Sequence, residues 1–148
     1  MTKGRILLAA LATLFLFTGS AMAEAGWHTT WDAAAKESKS TGKPILMDFT
    51  GSDWCGWCIK LKDEVFSTPE FKSWAKNNVV LLELDFPRSK AQSEAEKKAN
   101  TELAKKYGIQ GSPTIIFAKA DGEVLGRYGY DAGGPENWTS KASKMIKK

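Results

Sequence analysis

Both cysteines of this 148-residue chain lie in a single five-residue run, residues 54–58, with the sequence Trp-Cys-Gly-Trp-Cys. The apolar residues 45–49 before the run have the composition of a strand buried on both faces. The residues after the run, as far as about Phe66, have the pattern of a helix. This order places Cys55 near a helix N-terminus, where free backbone N–H groups and the helix macrodipole favour a thiolate over a thiol. The run therefore predicts an α/β fold with two thiols at a strand-to-helix junction.

The short spacing between Cys55 and Cys58 indicates what the pair can do. A disulfide that closes so small a loop adds little stability, because the entropic stabilisation by a cross-link grows with loop length. The spacing therefore favours a reversible redox couple. Two other interpretations stay open: a permanent bridge, and a zinc site that would have only His28 as a third ligand where a structural site takes four. The redox interpretation predicts neither a bound metal nor a cofactor.

The first 23 residues have the three parts of an export signal. Lys3 and Arg5 are positively charged, residues 6–17 are apolar, and residues 21–23 (Ala-Met-Ala) have the small side chains of a cleavage site. The apolar part is too short to cross a bilayer comfortably as a permanent helix. We therefore predict a signal peptide over 1–23, cleaved after Ala23, and a periplasmic domain with one core over 24–148. An uncleaved membrane anchor is the alternative.

The charge distribution argues against nucleic-acid binding. The formal net charge is +4, and two of the cations, Lys3 and Arg5, belong to the predicted signal peptide. Lysines and arginines do not cluster with interleaved aromatic residues, which is the usual pattern of a nucleic-acid surface.

Hydrophobic spacing and capping residues predict the element order β-α-β-α-β-α-β-β-α. Thr30 and Thr68 are the expected helix caps, and a proline in the first helical turn follows Thr68. Asp121 and Gly122 predict a two-residue hairpin turn. The helix over 88–106 should turn a narrow stripe of residues inward. The expected ranges are 27–30 (a short strand or extended chain), 31–40, 45–49, 55–66, 69 onward, 79–84, 88–106, 115–118, 124–128 and a helix after 135, and the stripe is Ala91, Ala95, Ala99 and Leu103.

Three sequence features together resemble the thioredoxin superfamily. A strand ending in Asp48-Phe49 comes first, residues 54–58 follow, and residues 111–114 (Gly-Ser-Pro-Thr) lead into a later strand. The resemblance extends from about residue 31 to residue 147. Residues 49–55 are similar to exported thioredoxin-like proteins of the chlamydial DsbH kind. The resemblance implies a three-layer α/β sandwich, with a central mixed β-sheet flanked by helices.

The resemblance also implies catalytic roles. Cys55 is similar to the nucleophilic cysteine of the family, and Cys58 to the buried resolving cysteine. Asp48 is similar to the buried carboxylate that exchanges a proton with the resolving cysteine. From the residues alone, Asp48 could also be a strand residue that is merely hydrogen-bonded.

The substrate-binding residues implied by the resemblance surround the two cysteines. Pro113 is similar to the cis-proline whose loop, with Ser112, pairs with an extended substrate chain, although the residues alone also allow a trans proline. Trp54 is similar to the tryptophan that shields the site. Gly56 and Trp57, between the cysteines, would face the substrate, and Trp57 could instead be a packing residue.

Three departures from thioredoxin concern the surroundings of the cysteines. Trp57 stands where thioredoxin has proline, and one extra residue lies between Asp48 and Cys55. Leu81 falls where thioredoxin has a lysine near its buried acid. The charged segment after Asp85 is also longer.

The family comparison favours a reductant or isomerase. The strong oxidants of the superfamily have a histidine between the cysteines that stabilises the reduced thiolate, whereas this chain has Gly56 and Trp57. The implied activity is therefore reduction or isomerisation of disulfides in exported proteins, by a monomer that receives electrons from a membrane thiol carrier. A disulfide-donating oxidase and a non-catalytic binding module are the alternatives.

Overall fold

The computed structural model describes residues 24–147. Within them the predicted order of strands and helices is confirmed, except that two helices, as in the expected ranges 55–66 and 69 onward, lie between the second and third strands where the predicted order has one. A π-helical segment continues the second helix, so that the stretch after the cysteines consists of two parts. The elements are β1 (Trp27–His28), α1 (Trp31–Thr41), β2 (Ile45–Thr50), α2 (Gly56–Leu61), the π-helical segment (Lys62–Phe66), α3 (Pro69–Asn78), β3 (Val80–Asp85), α4 (Glu94–Lys106), β4 (Thr114–Ala118), β5 (Val124–Tyr128) and α5 (Gly134–Ile146).

The strands form one mixed sheet in the order β1-β3-β2-β4-β5. β1 and β2 run parallel to β3, whereas β4 is antiparallel to both β2 and β5. β2 is therefore the central strand, and all of its residues are buried. Because β2 ends at Thr50, the two cysteines follow directly after the carboxyl end of the central strand.

The two faces of the sheet carry separate hydrophobic clusters, because side chains alternate between faces along a strand. Ile45, Met47 and Phe49 belong to a cluster that includes residues of α1, and Leu103 of α4 packs against it. Leu46 belongs to the opposite cluster, which includes residues of the π-helical segment, α3 and α5. This arrangement confirms the predicted three-layer thioredoxin-like sandwich.

The helix starts follow from their capping residues. The Thr30 hydroxyl accepts a hydrogen bond from the N–H of Ala33 at 3.4 Å at the start of α1. The Thr68 hydroxyl accepts from the N–H of Phe71 at 3.2 Å, and Pro69 occupies the first turn of α3. Both predicted caps are confirmed.

The predicted helix over 55–66 changes its hydrogen-bond pattern in its second half. The N–H of Ser67 donates to the carbonyl of Lys62 at 2.8 Å, five residues earlier, which is the spacing of a π-helix. Val65 and Phe66 remain buried while Lys62 stays exposed. A wider turn keeps the apolar residues inward, so hydrophobic spacing alone does not reveal it.

The predicted helix over 88–106 is wrong in its first six residues and in its inward face. α4 begins at Glu94, capped by Ser93. Its buried residue is Asn100, whose side-chain amide donates to the carbonyl of Asp85 at 3.0 Å. Of the predicted stripe Leu103 packs against the core, whereas three alanines are exposed, namely Ala91, Ala95 and Ala99.

The hairpin between β4 and β5 has one more loop residue than predicted. The N–H of Gly122 donates to the carbonyl of Lys119 at 2.9 Å, and the N–H of Lys119 donates to the carbonyl of Glu123 at 2.9 Å. Residues 120–122 therefore form a three-residue loop. Gly122 has a φ of 93°, a left-handed conformation that glycine adopts without steric cost.

The predicted signal peptide and its cleavage site after Ala23 lie outside the described residues. Among residues 24–147, no helix combines the length and apolar composition that a membrane span needs.

Candidate active site

Cys55 and Cys58 form a disulfide at the start of α2, with their Cα atoms 5.2 Å apart. Cys55 is the N-cap of this helix, because its Sγ accepts a hydrogen bond from the N–H of Cys58 at 3.3 Å. The two residues are 6% and 5% exposed. The predicted position of Cys55 at a helix N-terminus is confirmed. The same N–H that contacts this sulfur in the disulfide can stabilise a thiolate when the bond is reduced.

The loop before β4 lies against the first cysteine. The Sγ of Cys55 is 3.5 Å from the carbonyl oxygen of Ser112, and the peptide bond between Ser112 and Pro113 is cis. These residues are separated from the cysteines by more than fifty positions in sequence. The antiparallel pairing of β4 with β2 brings them together, since Thr114 at the start of β4 is paired with Phe49.

Asp48 lies near the other cysteine and lacks a partner for one oxygen. Its side chain is on the sheet face opposite Phe49, and the residue is 7% exposed. Its Oδ1 has no hydrogen-bond partner among residues 24–147. Asp48 and Cys58 both line a cavity of about 300 Å³. The two groups that the resemblance couples by proton exchange therefore border the same space.

Burial and two neighbouring carboxylates make the charged form of Asp48 unfavourable. Burial has the largest effect, followed by the negative charges of Glu83 and Asp85, and together they raise the pKa of Asp48 well above its ordinary range. The positive charge of Lys62 opposes this rise. A buried carboxyl group with a raised pKa is suited to accept and return a proton near neutral pH.

The strand residue beside Asp48 is Glu83, which corrects the sequence-based alignment of Leu81 to this position. In the parallel pairing of β2 with β3, Asp48 is opposite Glu83, whereas Leu81 is opposite Leu46. Leu81 thus lies two positions too early along β3. The carboxylate neighbour was missed because the apolar spacing of residues 79–84 defines a strand but leaves its register undefined.

The predicted shielding residue, Trp54, is fixed by the segment after β3. Its indole N–H donates to the carbonyl of Phe86 at 2.7 Å, and the guanidinium of Arg88 lies 3.8 Å from its ring centroid. A Cβ atom on Gly51 would fall within 2.6 Å of three atoms of this ring, so the ring packs where a side chain would otherwise stand. Trp54 remains 40% exposed.

Asp53 attaches the same segment to the loop that precedes the cysteines. Its carboxylate accepts hydrogen bonds from the backbone N–H groups of Arg88, Ser89 and Lys90 at 2.9, 2.7 and 2.9 Å. These bonds hold the pKa of Asp53 below its ordinary value. They tie residues 88–90 to this loop, and α4 begins further along the chain, at Glu94 after its Ser93 cap.

Trp57, between the cysteines, is 58% exposed, so the structure does not bury it in the core. Its ring lies 5.0 Å from that of Tyr130, and the Tyr130 hydroxyl donates to Glu64 at 2.7 Å. Space above Gly56 is open, since a Cβ atom there would meet nothing within 4 Å. No signal in the sequence points to Tyr130, because it follows β5 and is brought to Trp57 only by the folding of the sheet.

His28 lies in β1 and pairs with Glu37 of α1. Within the part of the chain that the structure describes, no group of three or more histidine, cysteine, aspartate or glutamate side chains is arranged to hold a metal ion.

Replacing Asp48 by asparagine should stabilise the oxidised protein, and the gain should grow with pH. Because the pKa of Asp48 is raised in the fold, the native state retains this proton to higher pH than the unfolded state. The contribution of Asp48 to the free energy of unfolding is fully present below its unfolded pKa of roughly 4. It is lost as pH rises through the pKa of Asp48 in the fold. Asp48→Asn removes that loss. The measurement is the free energy of unfolding in urea at several pH values.

Glu102→Gln is the matched control, since Glu102 is an exposed acid of α4. It should show no gain that grows with pH. A gain for Asp48→Asn that stays constant or shrinks from pH 4 upward would contradict the prediction.

Comparisons with known proteins agree with the fold and with the cysteine pair. Residues 31–137 match the model of a thioredoxin-like domain. The disulfide bond reductase DsbH of Chlamydia pneumoniae is 38% identical over 127 residues, covering 86% of this chain and 76% of that protein. The thiol:disulfide interchange protein DsbD of Cronobacter sakazakii is 34% identical over 94 residues, covering 64% of this chain and 14% of that protein.

A solved structure titled DsbH oxidoreductase superposes with a TM-score of 0.79. It is 36% identical to this chain, and the match covers 93% of this chain and 95% of the other. The relatives share disulfide chemistry in their names, and this chain has the Cys-X-X-Cys pair that such chemistry requires. The chain therefore belongs to the thioredoxin superfamily, as one of its thiol–disulfide oxidoreductases.

Proposed function

We propose that this protein reduces or isomerises disulfides in exported proteins, with Cys55 as nucleophile and Cys58 as resolving thiol. One observation carries the proposal: a disulfide lies at the N-terminus of α2, with the N–H of Cys58 on the sulfur of Cys55. The donor is already in position to stabilise the thiolate that exchange requires, so no rearrangement is needed when the disulfide is reduced.

In the first step, the Cys55 thiolate attacks one sulfur of a client disulfide. A bond forms between Cys55 and that sulfur, and the second client sulfur leaves as a thiolate that takes a proton from water. Cys58 lies one helical turn further on and then attacks the Sγ of Cys55. The client's remaining sulfur leaves, so the client disulfide gains two electrons while the Cys55–Cys58 dithiol becomes a disulfide.

Asp48 would accept the proton that Cys58 loses in the second step. Its unpaired Oδ1 and the cavity shared with Cys58 support this role. The raised pKa also supports it, because a carboxylate of higher pKa is a stronger base.

The client chain would bind across the surface around Cys55. The loop of Ser112 and Pro113 lies against this sulfur, and an extended chain could pair with its backbone. Gly56 leaves room for a close approach. Trp54 and Trp57 offer partly exposed rings on which apolar client side chains could pack.

The direction favoured is reduction. Gly56 and Trp57 place no positive charge between the cysteines, so the reduced thiolate lacks the extra stabilisation that makes an oxidant. The relative in Chlamydia pneumoniae is itself named a disulfide bond reductase. A disulfide-donating oxidase is the alternative.

The proposed site of action is the periplasm. A signal peptide over 1–23, removed after Ala23, would leave a periplasmic monomer of residues 24–148. A reductant there needs a supply of electrons, and a membrane thiol carrier would provide it. Similarity to part of DsbD, a thiol:disulfide interchange protein, supports exchange between domains of this kind.

The protein should catalyse dithiol-dependent precipitation of insulin, and its equilibrium with glutathione should give a potential near −270 mV. A potential near about −120 mV would instead indicate the oxidase. A non-catalytic binding module would produce no precipitation above that of the dithiol alone, and this result would refute the proposed activity. The protein alkylated at both cysteines is the blank.

A further inference from the structure

Three carboxylates lie on the sheet face beneath Cys58. Asp48 of β2 is paired with Glu83 of β3, and Asp85 lies two residues after Glu83 on the same face. Paired positions on neighbouring strands are ~4.8 Å apart, close enough for strong repulsion in a poorly solvated site.

The carboxylate of Asp85 has hydrogen-bond and ion-pair partners, whereas that of Glu83 has none among the described residues. The Asp85 carboxylate accepts from the N–H and hydroxyl of Ser52 at 2.9 and 2.6 Å, and Lys90 lies 3.4 Å away. Within residues 24–147, neither a hydrogen bond nor an ion pair engages the Glu83 carboxylate. Glu83 is also only partly buried. No partner of its own in the described part of the chain therefore offsets the repulsion between the Glu83 and Asp48 carboxylates.

A cavity of about 300 Å³ is lined by Asp48, Glu83 and the resolving cysteine, Cys58. Since a water molecule occupies about 30 Å³ in the liquid, a space of this size can hold several. Among its described lining, the fully buried Oδ1 of Asp48 has no hydrogen-bond partner. The charged or titratable residues that line it are Glu24, Asp48, Cys58, Lys62, Asp63, Glu83 and Lys90.

Lys62 supplies the opposing charge. Its ammonium is 2.7 Å from the carboxylate of Glu24, at the edge of the cavity. This hydrogen bond has the largest effect on Lys62 and raises its pKa, so that Lys62 stays protonated across the physiological range. Lys62 is thus a fixed positive charge. Glu83 lies directly beside Asp48. Burial, followed by the charge of Asp85, raises the pKa of Glu83, and Glu83 repels the Asp48 carboxylate once it is itself ionised.

We propose that Glu83 and Lys62 are positioning residues that act on Asp48 in opposite directions and together set the pH range in which Cys58 passes its proton to Asp48. This inference rests on the proposed exchange reaction. Glu83 makes the Asp48 carboxylate a stronger proton acceptor, while Lys62 stabilises the carboxylate and weakens it as an acceptor.

The proton moves as follows. The thiol of Cys58 loses its proton to the Asp48 carboxylate, which becomes a neutral carboxylic acid. The Cys58 thiolate then forms the bond to Cys55 and the client thiolate leaves. Asp48 returns its proton to water in the cavity, and the site is again charged as before.

The test compares three isosteric or near-isosteric variants of the reduced protein. Glu83→Gln and Lys62→Gln each remove one of the opposing charges. Lys60→Gln is the matched control, because its side chain is 47% exposed against 51% for Lys62 but does not line the cavity. The first readout is the carboxyl carbon of Asp48, titrated by NMR without substrate.

Glu83→Gln should lower the titration midpoint of Asp48 by about one pH unit, and Lys62→Gln should raise it by a similar amount. Lys60→Gln should leave it unchanged. The second readout is single-turnover oxidation by excess glutathione disulfide, monitored by tryptophan fluorescence. The phase of interest is the one whose rate does not depend on the concentration of glutathione disulfide. Its pH midpoint should move in the same two directions.

Unchanged midpoints, or shifts of both variants in one direction, would overturn the inference. Because the shifts are opposite in sign, a general loss of structure cannot imitate them. If the unmodified protein is not oxidised by glutathione disulfide, the proposed exchange function fails instead, and the NMR titration still tests the electrostatic part separately.

Discussion

Cys55→Ser should abolish disulfide exchange, whereas Cys58→Ser should hold the protein as a mixed disulfide with its client. Cys55 carries the sulfur that receives the N–H of Cys58 and lies beside the carbonyl of Ser112, so it is the sulfur placed for attack. In the proposed reaction, Cys58 releases the client from within the same helix. Intramolecular reactants reach effective concentrations on the order of 10⁵ M or more, so a millimolar external thiol cannot replace Cys58.

The measurement is insulin reduction for both variants and capture of a disulfide-bonded test protein, followed by non-reducing electrophoresis. Cys58→Ser should give a mixed-disulfide band that disappears with excess dithiol. The double variant Cys55→Ser/Cys58→Ser is the control and should capture nothing. An exchange rate in Cys55→Ser equal to that of the unmodified protein would rule out the assigned nucleophile, as would a captured complex formed through Cys58.

Trp138→Ala should lower the free energy of unfolding by ~3–5 kcal/mol. Trp138 is 0% exposed. Its indole N–H donates to the carbonyl of Gly129 at 2.9 Å, so the substitution also leaves a polar group without its donor. Its ring is surrounded by five aromatic rings whose centroids lie 5.1–6.2 Å from its own, those of Phe66, Phe71, Trp74, Phe117 and Tyr128.

This cluster joins the π-helical segment, α3, β4, β5 and α5, so the cavity left by Trp138→Ala would open at the centre of one layer. Trp57→Ala is the control, because the same residue type is deleted at a position that is 58% exposed. Urea unfolding of the oxidised proteins should show a large loss in the free energy of unfolding for Trp138→Ala and a small loss for Trp57→Ala. Similar losses for both would contradict the assignment of Trp138 to the core.

Much of the chain's local structure follows from the sequence, because the signals act over a few residues. Thr30 and Thr68 bond to N–H groups three positions later, so the starts of α1 and α3 can be predicted. The apolar run of β2 likewise predicts a strand buried on both faces. The position of Cys55 at a helix N-terminus depends on the same short-range order.

Contacts between distant segments were not predictable in this way. Asp53 binds N–H groups 35 to 37 residues later, and this long-range contact ties residues 88–90, predicted to be helical, to the loop before the cysteines. The inward position of Asn100 depends on the carbonyl of Asp85 at the end of β3. Alanine spacing carries less information, because alanine favours a helix on any face and its single methyl group gains little from burial.

The sequence by itself determined the reacting pair, the order of elements and the strands that bury both faces, since side-chain periodicity and helix capping are properties of neighbouring residues. Only the tertiary structure decided that Glu83 adjoins Asp48, that Tyr130 approaches Trp57 and that Ser112 contacts Cys55. Strand register and loop proximity depend on how the whole sheet assembles. A shift of two residues along β3 keeps the same residues on each face of the strand and yet changes which side chain, charged Glu83 or apolar Leu81, lies beside the buried acid.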